Sequence, residues 1–479
     1  MTGFVENVSA AVAAVSGVLT DYVLVTVLLA AAVYFTFITR GVQFRMVGEM
    51  LRLLARSGSR YDDRRKADAP VGGAVSSFQA FAISIASRVG TGNLAGVATA
   101  IAVGGPGAVF WMWVIALVGA SSAFVESTLA QLFKVRGKNS FMGGPAYYIQ
   151  KGLGQRWWAV TFAVLITLTF GIAFNSVQSN TIADAYYSCF GFPREWMAVL
   201  LTVCTLTVIW GGVKRVSRFS EIVVPVMAIA YIILALVIVC MNLSRIPEIL
   251  WLIVDSAMDF RAGAGGAIGM AITMGVKRGL FSNEAGEGST PNVAATASVT
   301  HPVKQGLVQA LGVYTDTLII CTATAFIILC SGVYQSGTDG IVLTQKAIDT
   351  QLGTDYDLGS AFVCVAILFF AFTSIVANYY YGEANIRFIR DRELPVRVYR
   401  LCVGATVYIG ALMSLDLVWG FADITMALMT LCNLAAIFAL GKYAVILLRD
   451  YLRQRRSGKD PVYHADTIPE LASRTECWK

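Results

Sequence analysis

Two short stretches of this sequence combine glycines and polar side chains within apolar surroundings. They are residues 87–96, which read SRVGTGNLAG, and residues 279–291, which read GLFSNEAGEGSTP. Glycine costs a helix about 1 kcal/mol relative to alanine, so both stretches are expected to interrupt a helix. The start of a half-helix offers N–H groups to a carboxylate, and freed carbonyl oxygens can coordinate a cation or an ammonium group. The residues therefore predict non-covalent binding of a small zwitterionic substrate.

Other kinds of chemistry find little support in the sequence. The glycines from Gly90 onward follow G-x-G-x-x-x-G spacing, which is not the dinucleotide fingerprint, and no phosphate loop, H-E-x-x-H motif or zinc spacing occurs. The two histidines, His301 and His464, lie outside the apolar runs. The nine cysteines form no C-x-x-C pair and are typical of small buried hydrophobic residues. We therefore predict that the protein is not an enzyme and holds no cofactor.

The elements that must position the two stretches are membrane-spanning helices. Of the 479 residues, 56% are hydrophobic and 14% are charged, whereas a soluble domain carries roughly 25% charged residues. Apolar runs long enough to cross about 30 Å of hydrocarbon predict about eleven spans in an all-α integral membrane protein. These spans are residues 21–39, 73–103, 105–135, 157–190, 195–212, 216–242, 263–299, 304–334, 358–389, 397–415 and 417–448. Segments 45–57, 142–153 and 246–260 look amphipathic and are expected along the membrane interface.

The positions of lysine and arginine predict the orientation of the chain. Of the 37 basic residues, thirty fall in connections on one side of the membrane, four on the other and three inside spans. Because cytoplasmic loops carry the excess of basic residues, the N-terminus is expected outside and the C-terminus in the cytoplasm of a plasma (inner) membrane. The acidic loop 339–357 then falls outside. The net charge of +7 thus indicates topology in a lipid bilayer and no nucleic-acid partner.

Each glycine-rich stretch begins a block of five spans, residues 73–244 and 245–448. Since five is an odd number, the second block must be inverted relative to the first. A 5+5 inverted repeat with two broken helices is typical of transporters that bind substrate near the midplane. An extra N-terminal span with a basic cytoplasmic linker (1–72) precedes the repeats, and a cytoplasmic basic tail (449–479) follows them.

The alternative interpretation of the glycines is close packing of helices. Small residues spaced by four, such as Gly92 and Gly96, let neighbouring helices approach each other. Two such stretches at corresponding positions favour the transporter hypothesis over packing alone.

At the two stretches the sequence resembles the alanine or glycine:cation symporter family, which are sodium-coupled amino-acid carriers of the leucine-transporter-like fold. The resemblance runs from about residue 20 to 450 and is carried by residues 90–98 (GTGNLAGVA), 104–108 (GGPGA), 143–146 (GGPA) and 279–286 (GLFSNEAG). It implies a secondary active symporter that imports small neutral amino acids, alanine or glycine, with sodium by alternating access.

The resemblance also implies where the substrate and the ion bind. Substrate contacts are expected from both broken helices and from two further spans, at Gly90, Thr91, Gly92, Asn93, Phe174, Gln178, Thr273, Gly279, Phe281, Ser282, Asn283 and Asn378. Sodium ligands are expected at Val89, Thr91, Asn93, Thr373 and Ser374. Oxygen-only ligands of this kind suit a hard cation.

Four charged residues inside spans are candidates for ion coupling or gating, because charge is costly at membrane depth. They are Arg88, Glu126, Glu284 and Asp316. Proton coupling through Glu126 or Asp316 stays open as an alternative to sodium, and a structural pairing of Arg88 is an equal alternative to a gating role.

Asn378 departs from the family pattern, because many relatives place a tryptophan there. An amide in place of an aromatic wall leaves a larger or more polar pocket, so a polar amino acid such as glutamine or serine remains an alternative substrate. A channel would need a continuous polar pore, and a membrane enzyme would need a nucleophile–base pair. Neither is indicated by the sequence.

Overall fold

The computed structural model describes residues 11–12, 14–56, 75–137, 140–211, 213–258, 266–353 and 357–478. The helices in chain order are α1 (Ala14–Ile38), α2 (Val42–Arg45), α3 (Val47–Arg56), α4 (Ser77–Arg88), α5 (Gly92–Gly104), α6 (Gly107–Leu132), α7 (Pro145–Tyr148), α8 (Arg156–Phe190), α9 (Arg194–Ile209), α10 (Val213–Met241), α11 (Ile246–Met258), α12 (Gly266–Asn283), α13 (Thr290–Ala294), α14 (Pro302–Ser331), α15 (Gly340–Leu352), α16 (Leu358–Ile389), α17 (Glu393–Leu412) and α18 (Leu415–Arg456). A π-helical turn, Ile149–Leu153, follows α7. Strands β1 (Val135–Arg136) and β2 (Phe141–Met142) pair in an antiparallel hairpin. Short 3₁₀ turns lie at Leu243–Arg245, Val333–Ser336, Ala465–Thr467 and Pro469–Leu471.

The helices confirm an all-α membrane protein. Six of those described are long and apolar enough to cross a membrane, namely α1, α6, α8, α14, α16 and α18. The second part of α10 and the helix that follows it make a seventh candidate if they are taken as one span bent by 78°. The other predicted spans, among them both broken helices, do not meet this measure of length and composition. The total of eleven spans therefore stays a prediction.

Both predicted helix interruptions are present. The first lies between α4 and α5, and the second lies between α12 and α13. Helix α6 packs against α12, α14 and α1, while α8 packs against α16 and α17. The two breaks are therefore enclosed by helices from both halves of the chain, and their residues are buried.

One helix was not expected from the sequence. The sequence predicts an outside loop between the spans 304–334 and 358–389, but this segment contains α15. This helix is too short to span a membrane and carries several polar residues, so its sequence gives no span signal. Thr344 Oγ1 on α15 donates to the Leu94 carbonyl at 3.1 Å, which seats the helix against the start of α5.

The ends of the chain also differ in detail from the sequence prediction. Helix α1 starts earlier than residue 21, and α18 continues to Arg456 before the tail begins. The tail packs back onto the protein, since Trp478 Nε1 donates to the Gln131 carbonyl at 3.0 Å. Most of the predicted basic linker, residues 57–72, and the predicted start of a span at residue 263 lie outside the described residues.

Candidate binding site

The first break is held open by a side chain that replaces a helical hydrogen bond. In a continuous helix the Gly90 N–H would donate to the Ala86 carbonyl. It donates instead to Asn93 Oδ1 at 2.9 Å. Ser374 Oγ on α16 lies 3.0 Å from the Ala86 oxygen and 3.3 Å from the Val89 oxygen. Because a hydroxyl has one proton to donate, this corner retains unused oxygen lone pairs.

The start of α5 is covered by Gln178 from α8. The Thr91 N–H and the Thr91 hydroxyl donate to Gln178 Oε1, at 3.0 Å and 2.5 Å respectively. A β-carbon at position 90 would lie 2.9 Å from that same oxygen, so Gln178 would have to shift to admit any larger residue. The amide oxygen therefore occupies the position at a helix N-terminus where a carboxylate would be stabilised.

The second break is filled by a carboxylate that belongs to the protein. Its backbone turns through the left-handed region, with φ of 55° at Glu284, 91° at Gly286 and 84° at Gly288. The N–H groups of Gly286 and Gly288 donate to Glu126 on α6 at 3.3 Å and 3.1 Å, and Asn433 Nδ2 donates to it at 2.9 Å. These N–H groups are thus not bare, unlike the expectation that both half-helices would offer free donors to a ligand.

Two of the predicted charged residues connect the breaks internally. Ser87 Oγ at the end of α4 lies 2.6 Å from Glu284 Oε1, and Ser289 Oγ donates to the other oxygen at 2.5 Å. Arg88 Nη2 donates to Thr290 Oγ1 at 3.0 Å, although only 1% of Arg88 is exposed. Both charges are therefore engaged with the opposite broken helix.

Asp316 on α14 joins the two breaks directly. Its Oδ1 accepts from Asn93 Nδ2 at 2.7 Å, and its Oδ2 accepts from Ser282 Oγ at 2.7 Å and from Thr317 Oγ1 at 3.0 Å. A β-carbon on Gly92 would lie 3.1 Å from the Ser282 Cα, so the two breaks are also in close backbone contact. One buried carboxylate thus gathers polar groups from both broken helices.

Wider helical turns coincide with this region. They occur at Gly92–Gly96, Thr169–Phe174 and Thr315–Cys321. Isolated π-helical turns within α-helices are frequent at functional sites. All three flank residues that contact the breaks.

Aromatic rings and an ion pair close the side from which α12 approaches the break. The Phe281 ring centroid is 4.4 Å from that of Phe174 and 4.6 Å from that of Trp419. The Arg278 guanidinium lies 4.1 Å from the centre of the Trp419 ring and 2.6 Å from Asp423 Oδ2. These groups are buried and seal that side of the site.

Asn378 lies on α16 beside the first break, one helical turn beyond Ser374. Its Oδ1 is 3.0 Å from Ser87 Oγ, and its Nδ2 donates to Asn175 Oδ1 at 3.2 Å. Asn378 is buried and lines a polar layer between α4, α8 and α16.

Four predicted site residues make other contacts. Thr273 is partly exposed and lies on α12 well before the break. Gly279 faces α6, because a β-carbon there would lie 2.8 Å from Ile115 Cγ2. Thr373 Oγ1 donates to a carbonyl of its own helix at 2.8 Å. Asn283 Oδ1 accepts from the backbone N–H two residues later at 3.0 Å, but its Nδ2 donates to Thr317 Oγ1 at 3.2 Å and so reaches the group around Asp316.

Sequence reasoning missed several residues that build the site. They are Glu287, Trp419, Asp423 and Asn433. A signal existed for some of them, because Asp423 and Asn433 are polar residues inside a predicted apolar span. Arg278 is predicted from the sequence as a gate or anchor, and it pairs with Asp423.

The chain is similar to known transporters along almost its whole length. The sequence model described as "Sodium:alanine symporter family" matches residues 5–465. The probable sodium/glutamine symporter GlnT of Bacillus subtilis is 49% identical over 456 residues, which cover 95% of this chain and 93% of that relative. The amino-acid carrier protein AlsT of the same organism is 50% identical over 453 residues, which cover 95% of this chain and 94% of that relative.

Solved structures support the fold independently. The crystal structure of MhsT in complex with L-phenylalanine matches with a TM-score of 0.53 at 14% identity, covering 78% of this chain and 95% of MhsT. At this identity the likeness concerns the fold alone, which is leucine-transporter-like with two broken helices.

Proposed function

This chain belongs to the sodium:alanine symporter family, and we propose that it uses a sodium gradient to import small neutral amino acids, alanine first among them, by alternating access. The observation that carries this proposal is the junction of both helix breaks at Asp316. Such a junction lets one bound ion and one bound substrate influence both halves of the repeat at once. We further propose that the carrier lies in the inner membrane with its N-terminus outside.

The first proposed sodium site centres on Asp316. Its neighbours Asn93, Ser282 and Thr317 now direct donors at the carboxylate. Hydroxyl groups can rotate to present lone pairs, so the serine and threonine oxygens together with the carboxylate would supply the hard ligands that sodium prefers. Asn93 would keep its orientation, with Oδ1 on the Gly90 N–H and Nδ2 holding the carboxylate in place.

The second proposed sodium site lies at the corner formed by the Ala86 and Val89 carbonyls and Ser374 Oγ. This corner brings together three oxygens from α4 and α16 with no charged group among them. A cation bound there would tie the end of α4 to α16.

The substrate carboxylate is proposed to bind at the start of α5. Gln178 Oε1 already accepts from the Thr91 N–H and hydroxyl, and this contact supports the proposal that the helix start stabilises an oxygen acceptor. A substrate carboxylate would displace the amide oxygen and gain from its full negative charge. The rings of Phe174 and Phe281 would then cover the aliphatic part of the substrate.

Alternating access requires a barrier on each side of the site, and the buried contacts supply both. The Arg278–Asp423 ion pair closes one side. The contacts of Ser87 with Glu284 and of Arg88 with Thr290 close the other. Opening one barrier at a time would expose the site to one side of the membrane.

The test is uptake of labelled alanine by purified protein in liposomes. An inward sodium gradient should drive accumulation, and replacement of sodium by choline should abolish it. Excess unlabelled alanine inside the vesicles should accelerate entry of the label by counterflow, as in a carrier. Equal uptake in sodium and choline would contradict sodium coupling, and uptake without counterflow would indicate a channel.

Glutamine is a second candidate substrate. The buried amides of Asn378 and Asn175 pair at 3.2 Å near the first break and would suit a polar side chain. A relative that is 49% identical is named as a probable sodium/glutamine symporter. Competition of unlabelled glutamine against labelled alanine tests this candidate, and stronger competition by glutamine than by alanine would make it the preferred substrate.

A further inference from the structure

Glu287 is a buried carboxyl group without a hydrogen-bond partner. It lies in the second break between Gly286 and Gly288, and its residue surface is fully inaccessible to solvent. Neither carboxylate oxygen has a hydrogen-bond partner among the residues that the structure describes. An ionised carboxylate in such surroundings is strongly unfavourable unless it binds a proton or a cation.

The two neighbouring carboxylates are in a different situation. Glu126 accepts from the Gly286 and Gly288 N–H groups and from Asn433, and Glu284 accepts from Ser289. Hydrogen bonds to the charged form of an acid favour that form. Donors are therefore directed at both neighbours and not at Glu287.

The charges around the second break reinforce this difference. Glu284 and Glu126 act on Glu287 as like charges, and Arg88 acts on it as an opposite charge. One guanidinium thus faces three carboxyl groups. Asp316 on α14 is a further carboxyl group at the break, where it accepts from Ser282 and is also subject to the Arg88 charge. The hydroxyls of Tyr148 on α7 and Tyr381 on α16 are neutral near neutral pH.

The backbone next to Glu287 is tightly enclosed. A β-carbon on Gly288 would lie 2.7 Å from Pro145 Cγ, 2.8 Å from Asn433 Cγ and 2.9 Å from Phe162 Cζ. No group of three or more His, Cys, Asp or Glu side chains with the arrangement of a metal site occurs among the described residues. The chemistry of this position therefore suits a proton better than a metal ion.

We infer that Glu287 is a proton-binding site of the carrier, occupied when both barriers are closed. The proton comes from water when the second break is exposed, binds one carboxylate oxygen, and returns to water when the break opens again. This inference rests on the proposed transport function and adds a second ion to it. It assigns the proton to Glu287, instead of the Glu126 or Asp316 considered from the sequence.

The test compares the pH dependence of alanine uptake for the full-length protein and two variants in liposomes under a fixed sodium gradient. If the closed state requires the proton, wild-type uptake should fall as pH rises, by up to about tenfold per pH unit above the titration midpoint. Glu287→Gln, which reproduces the neutral form, should fold normally and lose this dependence. Glu287→Asp, which keeps an acid, should retain it with a shifted midpoint.

A spectroscopic readout separates this inference from the proposed function. The infrared carbonyl band of a protonated carboxylic acid should be present in the wild type and absent from Glu287→Gln, whether or not sodium drives uptake. Asp184→Asn is the matched control, because Asp184 pairs with Arg194 at the end of α8. It should retain both the wild-type band and the wild-type pH profile.

Three results would overturn the inference. They are an unchanged pH profile and infrared band in Glu287→Gln, failure of that variant to fold, and a change confined to its sodium half-saturation. The last result would assign the position to sodium. Loss of sodium-driven uptake in the wild type, with the infrared band intact, would instead contradict the proposed function alone.

Discussion

At the first break, the backbone N–H and C=O groups form hydrogen bonds with amide and hydroxyl side chains. At the second break, the backbone N–H groups form hydrogen bonds with a carboxylate. At the first, Asn93, Gln178 and Ser374 supply the partners, and all three are neutral. At the second, Glu126 accepts two backbone N–H groups. The two breaks thus differ in electrostatic character, since the backbone partners are neutral at the first and a carboxylate at the second.

This difference assigns different roles to the two breaks. A neutral partner such as Gln178 can be displaced by a substrate carboxylate, which makes stronger hydrogen bonds to the same donors. A buried carboxylate that already holds three donors is costly to displace, because those donors would be left unpaired. The first break is therefore suited to exchange ligands, and the second is suited to hold its shape while it moves.

The largest effect is expected from Glu126→Leu, which removes the acceptor of the second break. Two backbone N–H groups and the Asn433 amide would be left buried and unpaired, so the loss of stability should reach about 3 kcal/mol or more. Thermal unfolding in detergent measures this. Gln178→Leu at the first break is the matched variant and should cost clearly less stability while weakening substrate binding.

Equal destabilisation by the two variants would remove the distinction between a fixed break and an exchangeable one. A larger effect of Gln178→Leu would reverse it.

The next largest effect is expected from Asp316→Asn, at the point where the breaks meet. The variant keeps the shape and loses the negative charge that faces the proposed sodium ion. Sodium half-saturation of alanine uptake should therefore rise by about tenfold or more, equivalent to roughly 1.4 kcal/mol. Asp450→Asn, which alters a carboxylate near the C-terminal end of α18 that pairs with His301, serves as the control and should leave sodium half-saturation unchanged.

A wild-type sodium response in Asp316→Asn would mean that Asp316 only connects the two breaks structurally. It would contradict the sodium site proposed around Asp316.

The sequence is sufficient to predict where the helices break. Glycine and polar residues inside apolar runs have a local signature, and residues 90–93 and 282–284 were found by it. The resemblance to a family added Gln178 and Ser374, and the structure brings both to the first break.

The partners of the second break were harder to find, because they depend on contacts between distant helices. Glu126 and Asn433 come together although 307 positions separate them in the chain. Their pairing follows from the packing of α6 and α18, which periodicity within one helix does not encode. Helix α15 is not predicted from the sequence for a related reason. Its short amphipathic pattern does not identify its position, which depends on the contact with α5.

The smallest effects are expected from two neighbouring hydroxyls, Ser374 and Thr373, which sharpen the description of the first break. Ser374 Oγ reaches the carbonyls of Ala86 and Val89 across the break, whereas Thr373 Oγ1 bonds only within α16 among the described residues. Ser374→Ala should weaken sodium dependence by about fivefold, as expected for loss of one ligand worth roughly 1 kcal/mol. Thr373→Val keeps the side-chain shape and should change sodium half-saturation by less than about twofold, because it removes no contact across the break. Titration of alanine uptake with sodium measures both effects. A stronger effect of Thr373→Val than of Ser374→Ala would contradict the second sodium site proposed at the Ala86 and Val89 carbonyls.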